Sequence, residues 1–262
     1  MPAPGSADPT ALAAIAERAA RAAGALLLDH ATRRPVAVES KSSTTDLVSA
    51  ADHASEELLV DLLLTARPDD GLIGEEGSAR TGTSGLTWVC DPLDGTTNYL
   101  YRLPQWAVSV AVDDAAGPVA SCVFDPERDE MFTAARGHGA TMNGASIRTS
   151  AATDLATSLI ATGFAYTASV RAEQGARLSR VLEAVRDIRR AGSAAIDLAW
   201  VACGRLDGYF ESDIKHWDYA GGQLLVEEAG GRFHIAPGPH GGIPQVVAAA
   251  PGIHDALRAL AG

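Results

Sequence analysis

The chain has 262 residues, 47% of them apolar and 21% charged, with 21 basic against 33 acidic side chains and a formal net charge of −12. A chain of this length buries about 70–75% of its unfolded surface on folding, which excludes wholesale disorder and a miniature held by disulfides. The acidic balance disfavours nucleic acid and anionic membranes as partners, and an anionic substrate would need a bound cation to reverse the field locally.

Residues 1–9 are a Pro/Ala/Gly/Ser tail, expected to be mobile. Residues 10–31 read as a helix capped by Thr10, with Leu12, Ile15, Ala19, Ala22, Leu26 and Leu27 on one face. A polar turn at 44–46 leads to a second helix over 50–66, stopped by Pro68-Asp69-Asp70-Gly71. Leu72-Ile73-Gly74 is a short strand that delivers Glu75-Glu76, and 79–85 is a small-residue loop, a candidate flap. A buried strand over 86–90 runs into Asp91-Pro92-Leu93-Asp94-Gly95, and Thr96-Thr97-Asn98 opens a turn or helix. Strands at 106–113 and 118–124 pair through a hairpin turn, and 130–135 and 139–142 continue the meander. After a linker at 149–153 come strand 158–162, helix 168–185, strand 186–190, helix 194–203, strand 206–210, helix 217–229 and strand 232–233. The fold class is therefore α/β with an α+β first half: a largely antiparallel half over 10–148 and an alternating half over 149–262, joined in one unit.

Cys90, Cys122 and Cys203 form no CxxC pair and no disulfide framework, which fits a reducing cytoplasm. The longest apolar N-terminal stretch, 22–28, is too short to span a bilayer, and no secretory cleavage pattern is present. Trp88, Trp106, Trp200 and Trp217 read as packing residues. His53, His138, His234, His240 and His254 lack metal-ligand spacing and read as surface residues. Glu228 reads as helix-end structure.

The chemistry concentrates where strands end in acids. Asp91 and Asp94 lie three residues apart across a Pro-bearing turn and can converge on one point. Converging carboxylates are costly unless a proton or a cation sits between them. Oxygen ligands favour Mg²⁺, Mn²⁺ or Ca²⁺ over zinc. The N–H groups of Gly95, Thr96 and Thr97 offer a phosphate seat beside them. The plain alternative is an Asp/Gly turn. Glu75-Glu76 again places carboxylates at a strand end. Asp52 precedes an apolar helical run and is equally a capping-box residue. Asp218 precedes Leu224-Leu225-Val226 and is equally a first-turn helix acid. A Mg²⁺ cluster holding a phosphate ester accounts for all four places at once.

At these residues the chain resembles the inositol monophosphatase family of Mg²⁺-dependent, lithium-sensitive phosphatases. The resemblance rests on Lys41-Ser42-Ser43, Asp46-Leu47-Val48-Ser49-Ala50-Ala51-Asp52, Gly74-Glu75-Glu76 and Asp91-Pro92-Leu93-Asp94-Gly95-Thr96-Thr97-Asn98-Tyr99. It continues through Ala191-Gly192-Ser193-Ala194-Ala195, Trp217-Asp218-Tyr219-Ala220-Gly221-Gly222 and Glu228-Ala229-Gly230-Gly231, and spans about residues 11–260. It implies a layered αβαβα sandwich of the inositol monophosphatase / fructose-1,6-bisphosphatase type, as a homodimer. By position, Glu75, Asp91 and the Leu93 carbonyl would hold a first metal and Asp91, Asp94 and Asp218 a second. A weaker third metal would sit near Glu75 through water. Asp52 and Thr96, with Glu75 beside them, would activate the attacking water. Gly95, Thr96 and Thr97 would bind phosphate, and Gly192, Ser193, Ala194, Glu211 and Asp218 would face the alcohol.

The resemblance thus implies a cytoplasmic hydrolase that uses two to three Mg²⁺ ions, with Mn²⁺ as a substitute, to release phosphate from a small ester. Inositol 1-phosphate leads. Histidinol phosphate, fructose 1,6-bisphosphate and 3′-phosphoadenosine 5′-phosphate are alternatives with the same metal core. A non-catalytic interaction protein on this fold is a further class, because some bacterial relatives also bind transcription machinery. A two-carboxylate glycosidase leaves the Gly-Thr-Thr loop unexplained. No covalent nucleophile is expected, since Ser42, Ser193 and Cys90 lack the required context.

Overall fold

The computed structural model describes residues 8–32, 38–40 and 47–261. The expected tail up to residue 7, the Lys41-Ser42-Ser43 motif and the 44–46 turn lie outside the described residues. In chain order the elements are α1 (Pro9–Thr32), β1 (Val38–Ser40), β2 (Leu47–Ser49), α2 (Ala50–Ala66), β3 (Gly71–Gly74), β4 (Ala79–Arg80), β5 (Thr87–Asp94) and α3 (Thr96–Tyr101). The meander follows as β6 (Ala107–Asp114), β7 (Gly117–Asp125), β8 (Glu130–Ala135), β9 (Gly139–Met142) and β10 (Ala145–Ser146). The second half comprises β11 (Leu159–Thr162), α4 (Ala168–Ala184), β12 (Asp187–Arg189), α5 (Ala194–Ala202), β13 (Gly208–Ser212), α6 (His216–Glu228), β14 (Arg232–Pro237), β15 (Pro244–Ala249) and α7 (His254–Ala261).

An eight-stranded sheet runs β10-β9-β8-β7-β6-β5-β3-β4 and a five-stranded sheet runs β12-β11-β13-β15-β14, with β1 and β2 paired apart. In the large sheet β3 and β5 are parallel and the other pairs antiparallel. In the small sheet β11 is parallel to β12 and β13, whereas β15 runs antiparallel to β13 and β14. The α1 and α2 helices cover one face of the large sheet, α5 and α6 fill the space between the sheets, and α4 and α7 lie outside the small one. The five layers alternate αβαβα, as expected. One apolar core, with Leu12, Leu27, Leu59, Trp88 and Trp106, lies under α1 and α2. A second, with Phe132, Ile196, Tyr209 and Leu225, lies between the sheets.

Several expectations need correction. The first helix begins at Pro9, whose missing N–H costs nothing in a first turn. The Asp8 carboxylate, not the Thr10 hydroxyl, receives the Thr10 N–H at 2.9 Å. The strand expected to end at Cys90 runs on to Asp94, because the register shift between Asp91 and Asp94 accommodates Pro92. The expected flap opens as edge strand β4, and its loop is pinned: the Thr83 and Ser84 N–H groups donate to the Asp69 carbonyl at 2.7 and 3.1 Å. A Cβ on Gly82 would overlap the backbone of Asp70 and Gly71, so only glycine allows that approach. The strand expected over 206–210 lies at Gly208–Ser212, which places Glu211 within it rather than after it. His254 is buried, not exposed. His240 is partly buried, its ring nitrogens facing Asp213 and Glu173 at 3.0 Å. Trp88 and Trp106 are buried, and Trp200 and Trp217 are half-buried. Glu228 is structural, accepting the N–H groups of Gly137 and Gly139 at 2.7 and 2.8 Å. Among the described residues no helix is long and apolar enough to cross a membrane, and the three cysteines are free.

Candidate active site

The β5 strand ends on the site. Asp91 is buried, and its Oδ1 accepts the Leu93 N–H at 3.0 Å, curling the chain around Pro92. The Ser55 hydroxyl donates to the Pro92 carbonyl at 2.9 Å, fixing this turn to α2. That helix also carries Asp52, fully buried, whose Oδ1 lies 3.0 Å from the Thr96 hydroxyl oxygen. The same hydroxyl lies 3.2 Å from the Leu93 carbonyl oxygen. Gly95 turns the chain from β5 into α3 at φ 95°, left-handed backbone that favours glycine. A Cβ there would come within 2.9 Å of the Gln105 carbonyl oxygen. The first-turn N–H groups of α3 lack partners within the helix.

Three carboxylates converge. Glu75 after β3, Asp91 in β5 and Asp218 in the first turn of α6 each bring an oxygen within 4.8 Å of the others. Asp218 also caps its helix, with Oδ2 accepting the Lys215 N–H at 2.7 Å. The two sequence interpretations of Asp218 are thus compatible. Asp94 stands beside this group but outside it. Its Oδ2 accepts the Ser193 hydroxyl at 2.6 Å and the Ala195 N–H at 2.7 Å, which anchors the start of α5. Ser193 in turn caps α5 through the Ile196 N–H at 3.3 Å.

Burial holds the Asp91 carboxyl well above its ordinary range, and the charges of Glu75, Asp94 and Asp218 push it further. Burial does the same to Asp218, reinforced by Glu75 and opposed by the Lys215 N–H. Asp94 is raised to about 6 by burial, against the Ser193 and Ala195 hydrogen bonds. A site in which several acids resist ionisation is one that a divalent cation completes, since its charge favours every ionised form. The donors are all oxygens, so the group fits Mg²⁺ or Mn²⁺.

From this corner a cavity of about 540 Å³ runs to the small sheet, lined among others by Thr96, Ser193, Ala194, Glu211 and Asp213. That size suits a small molecule. Glu211 accepts the Tyr209 hydroxyl, and burial raises its carboxyl to about 7 against the pull of Tyr209 and Arg190. Gly95, Gly192, Ser193, Ala194, Glu211 and Asp218 thus line one cavity with Glu75, Asp91, Leu93, Asp94 and Thr96. Thr97 is half-buried on α3 and does not line it. Sequence reasoning missed Arg190, Asp197, Asp213 and His240 on its walls. It also missed the role of Asn98, whose amide donates to the Gln105 and Ala191 carbonyls at 2.7 and 2.9 Å and joins the two halves beside the site. Only Asp197 left a signal, as an acid inside the otherwise apolar run of α5.

A profile described as "Inositol monophosphatase family" matches residues 8–260. A protein named "Nus factor SuhB" from Xylella fastidiosa is 45% identical over 215 residues, 82% of this chain and 78% of its own length. An "Inositol-1-monophosphatase" from Mycobacterium leprae is 44% identical over 234 residues, 85% of this chain and 80% of its own. The crystal structure of extragenic suppressor protein suhB from Bartonella henselae superposes with a TM-score of 0.89 at 37% identity, covering 95% of this chain and 98% of that one.

Proposed function

Because the chain belongs to the inositol monophosphatase family, we propose that it is a Mg²⁺-dependent phosphatase of small phosphate monoesters, with inositol 1-phosphate the leading substrate. The observation that carries this reading is the convergence of Glu75, Asp91 and Asp218 within 4.8 Å at the end of a cavity that is also lined by Thr96, whose hydroxyl is backed by the buried Asp52 carboxylate. Glu75, Asp91 and the Leu93 carbonyl would hold one Mg²⁺ and Asp91, Asp94 and Asp218 another, with any third held through water near Glu75. Bound Mg²⁺, replaceable by Mn²⁺, supplies Lewis acidity and the countercharge for anionic substrate.

The protein's own groups do the positioning. The N–H groups of Gly95 and Thr96, which line the cavity, hold the phosphate, whereas Thr97 stands outside it. Asp52 accepts the Thr96 hydroxyl proton, leaving the Thr96 oxygen free to take a proton from the attacking water. An oxygen–phosphorus bond forms in line as the bond to the alcohol oxygen breaks, and solvent protonates the departing alkoxide. Gly192, Ser193, Ala194, Glu211 and Asp218 orient the alcohol. A homodimer in the cytoplasm belongs to the same proposal, supported by the family and by the free cysteines.

The test is phosphate release from inositol 1-phosphate, histidinol phosphate, fructose 1,6-bisphosphate and 3′-phosphoadenosine 5′-phosphate, with Mg²⁺, with excess EDTA and with added Li⁺. Turnover that needs Mg²⁺, falls with Li⁺ and is fastest on inositol 1-phosphate is expected. Undiminished turnover in EDTA would sink the metal mechanism, and a preference for histidinol phosphate would move the substrate alone. The relative named "Nus factor SuhB" favours a second reading, an interaction role that an intact acidic site does not exclude.

A further inference from the structure

Asp197 is 2% exposed, lines the cavity, and its Oδ1 has no hydrogen-bond partner among the described residues. Its acidic neighbours on these walls are all engaged. Asp94 holds Ser193, Glu211 holds the Tyr209 hydroxyl, Asp213 holds His240 and Asp218 holds the Lys215 N–H. More than nine in ten buried polar groups find a partner, so a carboxylate without one marks a place where the partner comes from outside the chain.

The third component of this wall is Arg190. Its guanidinium lines the cavity, acts electrostatically on both Asp197 and Glu211, and forms no ion pair with either among the described residues. The wall thus presents acceptors and a cationic donor together. A hydroxyl both donates and accepts, so neighbouring hydroxyls can satisfy the acids and the guanidinium at once. An ammonium only donates, and it would face the like charge of Arg190.

We propose that Asp197 is a specificity-determining residue, forming with Glu211 and Arg190 a hydroxyl-binding subsite that selects a neutral polyol over an amine-bearing alcohol as the leaving group. This rests on the phosphatase reading for its kinetic consequences but not for ligand binding.

The experiment compares wild-type protein with Asp197→Asn, which keeps the shape and replaces one acceptor oxygen with a donor. Asp197→Ser serves if the first variant folds poorly, as judged by its melting temperature. Calorimetric binding of free myo-inositol in the presence of Mg²⁺ and phosphate is expected to weaken at least fivefold. The ratio of kcat/KM for inositol 1-phosphate to that for p-nitrophenyl phosphate, which lacks polyol hydroxyls, is expected to fall at least tenfold. In wild-type protein, inositol 1-phosphate is expected to outcompete histidinol phosphate. Unchanged inositol affinity, an equal loss on both esters, or a wild-type preference for the amine-bearing ester overturns the proposal. Absence of wild-type activity on p-nitrophenyl phosphate would instead mark failure of the phosphatase reading, and the inositol titration would still decide the role of Asp197.

Discussion

Thr96 holds its place through one hydroxyl that lies 3.0 Å from Asp52 and 3.2 Å from the Leu93 carbonyl. A single proton serves one acceptor at a time, so the direction of that O–H decides whether the oxygen can act as a base toward water. Thr96→Ala removes the hydroxyl proposed as the relay and is expected to lower kcat by about 10²–10⁴, the usual worth of a positioned proton carrier. Thr96→Ser keeps the hydroxyl and is expected to recover most of it. Calorimetric Mg²⁺ affinity should be nearly unchanged in both. Similar small losses for the two variants would place Thr96 among ordinary backbone contacts. The sequence makes Asp52 ambiguous, because an acid at the start of a helix caps as readily as it reacts. Its contact with Thr96, 44 positions away, is a tertiary fact that no local pattern carries.

At the scale of elements, Glu75 depends on a turn that α2 holds. The buried carboxylate of Glu56 accepts the Glu76 N–H at 2.8 Å and the Ser78 N–H at 2.9 Å. The first bond sits on the residue after a corner of the acidic cluster. Glu56→Gln replaces one acceptor with a donor that faces an N–H. A buried group left unpaired costs about 1–3 kcal/mol, or roughly a five- to hundredfold change if it appears as metal affinity. Calorimetry is therefore expected to show Mg²⁺ binding weakened by at least about fivefold. The exposed neighbour substitution Glu57→Gln should leave it alone. Equal affinities in the two variants would make Glu56 a packing residue only. The long periodic helices α1, α2 and α4 were legible in sequence within two residues. Pro244–Ala249 was not, since a strand that opens on Pro and ends in Ala-Ala has weak propensity. Its pairing with β13 and β14 makes it a strand. The extension of β5 past Pro92 was lost for a related reason: a Pro lacks one donor, and a bulge lets the ladder resume beyond it.

For the molecule as a whole, acidity and metal pull stability in opposite directions. Glu211 and Asp94 are raised to about 7 and about 6, burial being the main cause for each. Between about pH 4, where unfolded carboxyls ionise, and these values, the metal-free folded state holds protons that the unfolded chain has released. Metal-free stability is therefore expected to fall as pH rises through that window, and the net charge of −12 acts in the same sense. Mg²⁺ held by the ionised carboxylates, as proposed above, is expected to reverse the trend, adding about 2.7 kcal/mol when present at about 100 times its Kd. Melting temperatures at about pH 5.5 and about pH 7.5, with EDTA and with Mg²⁺, check this linkage. A metal-free melting temperature that rises between those pH values would contradict it. The α/β arrangement of the second half was legible because strands and helices alternate there, whereas the five-layer order came only from the family resemblance. The antiparallel placement of β15 between β13 and β14 was not, because register between distant strands is set by packing rather than by local pattern.

The acidic corner draws Glu75 and Asp91 from the first half of the chain and Asp218 from the second. A ribosome making this protein releases Glu75 and Asp91 long before residue 218. A chain that stalls or is cut after the β-meander carries two corners without the third, and it also lacks Ser193 and Ala195 to hold Asp94. Assembly of the corner thus certifies that translation has passed residue 218, and an incomplete product cannot present the finished acidic site.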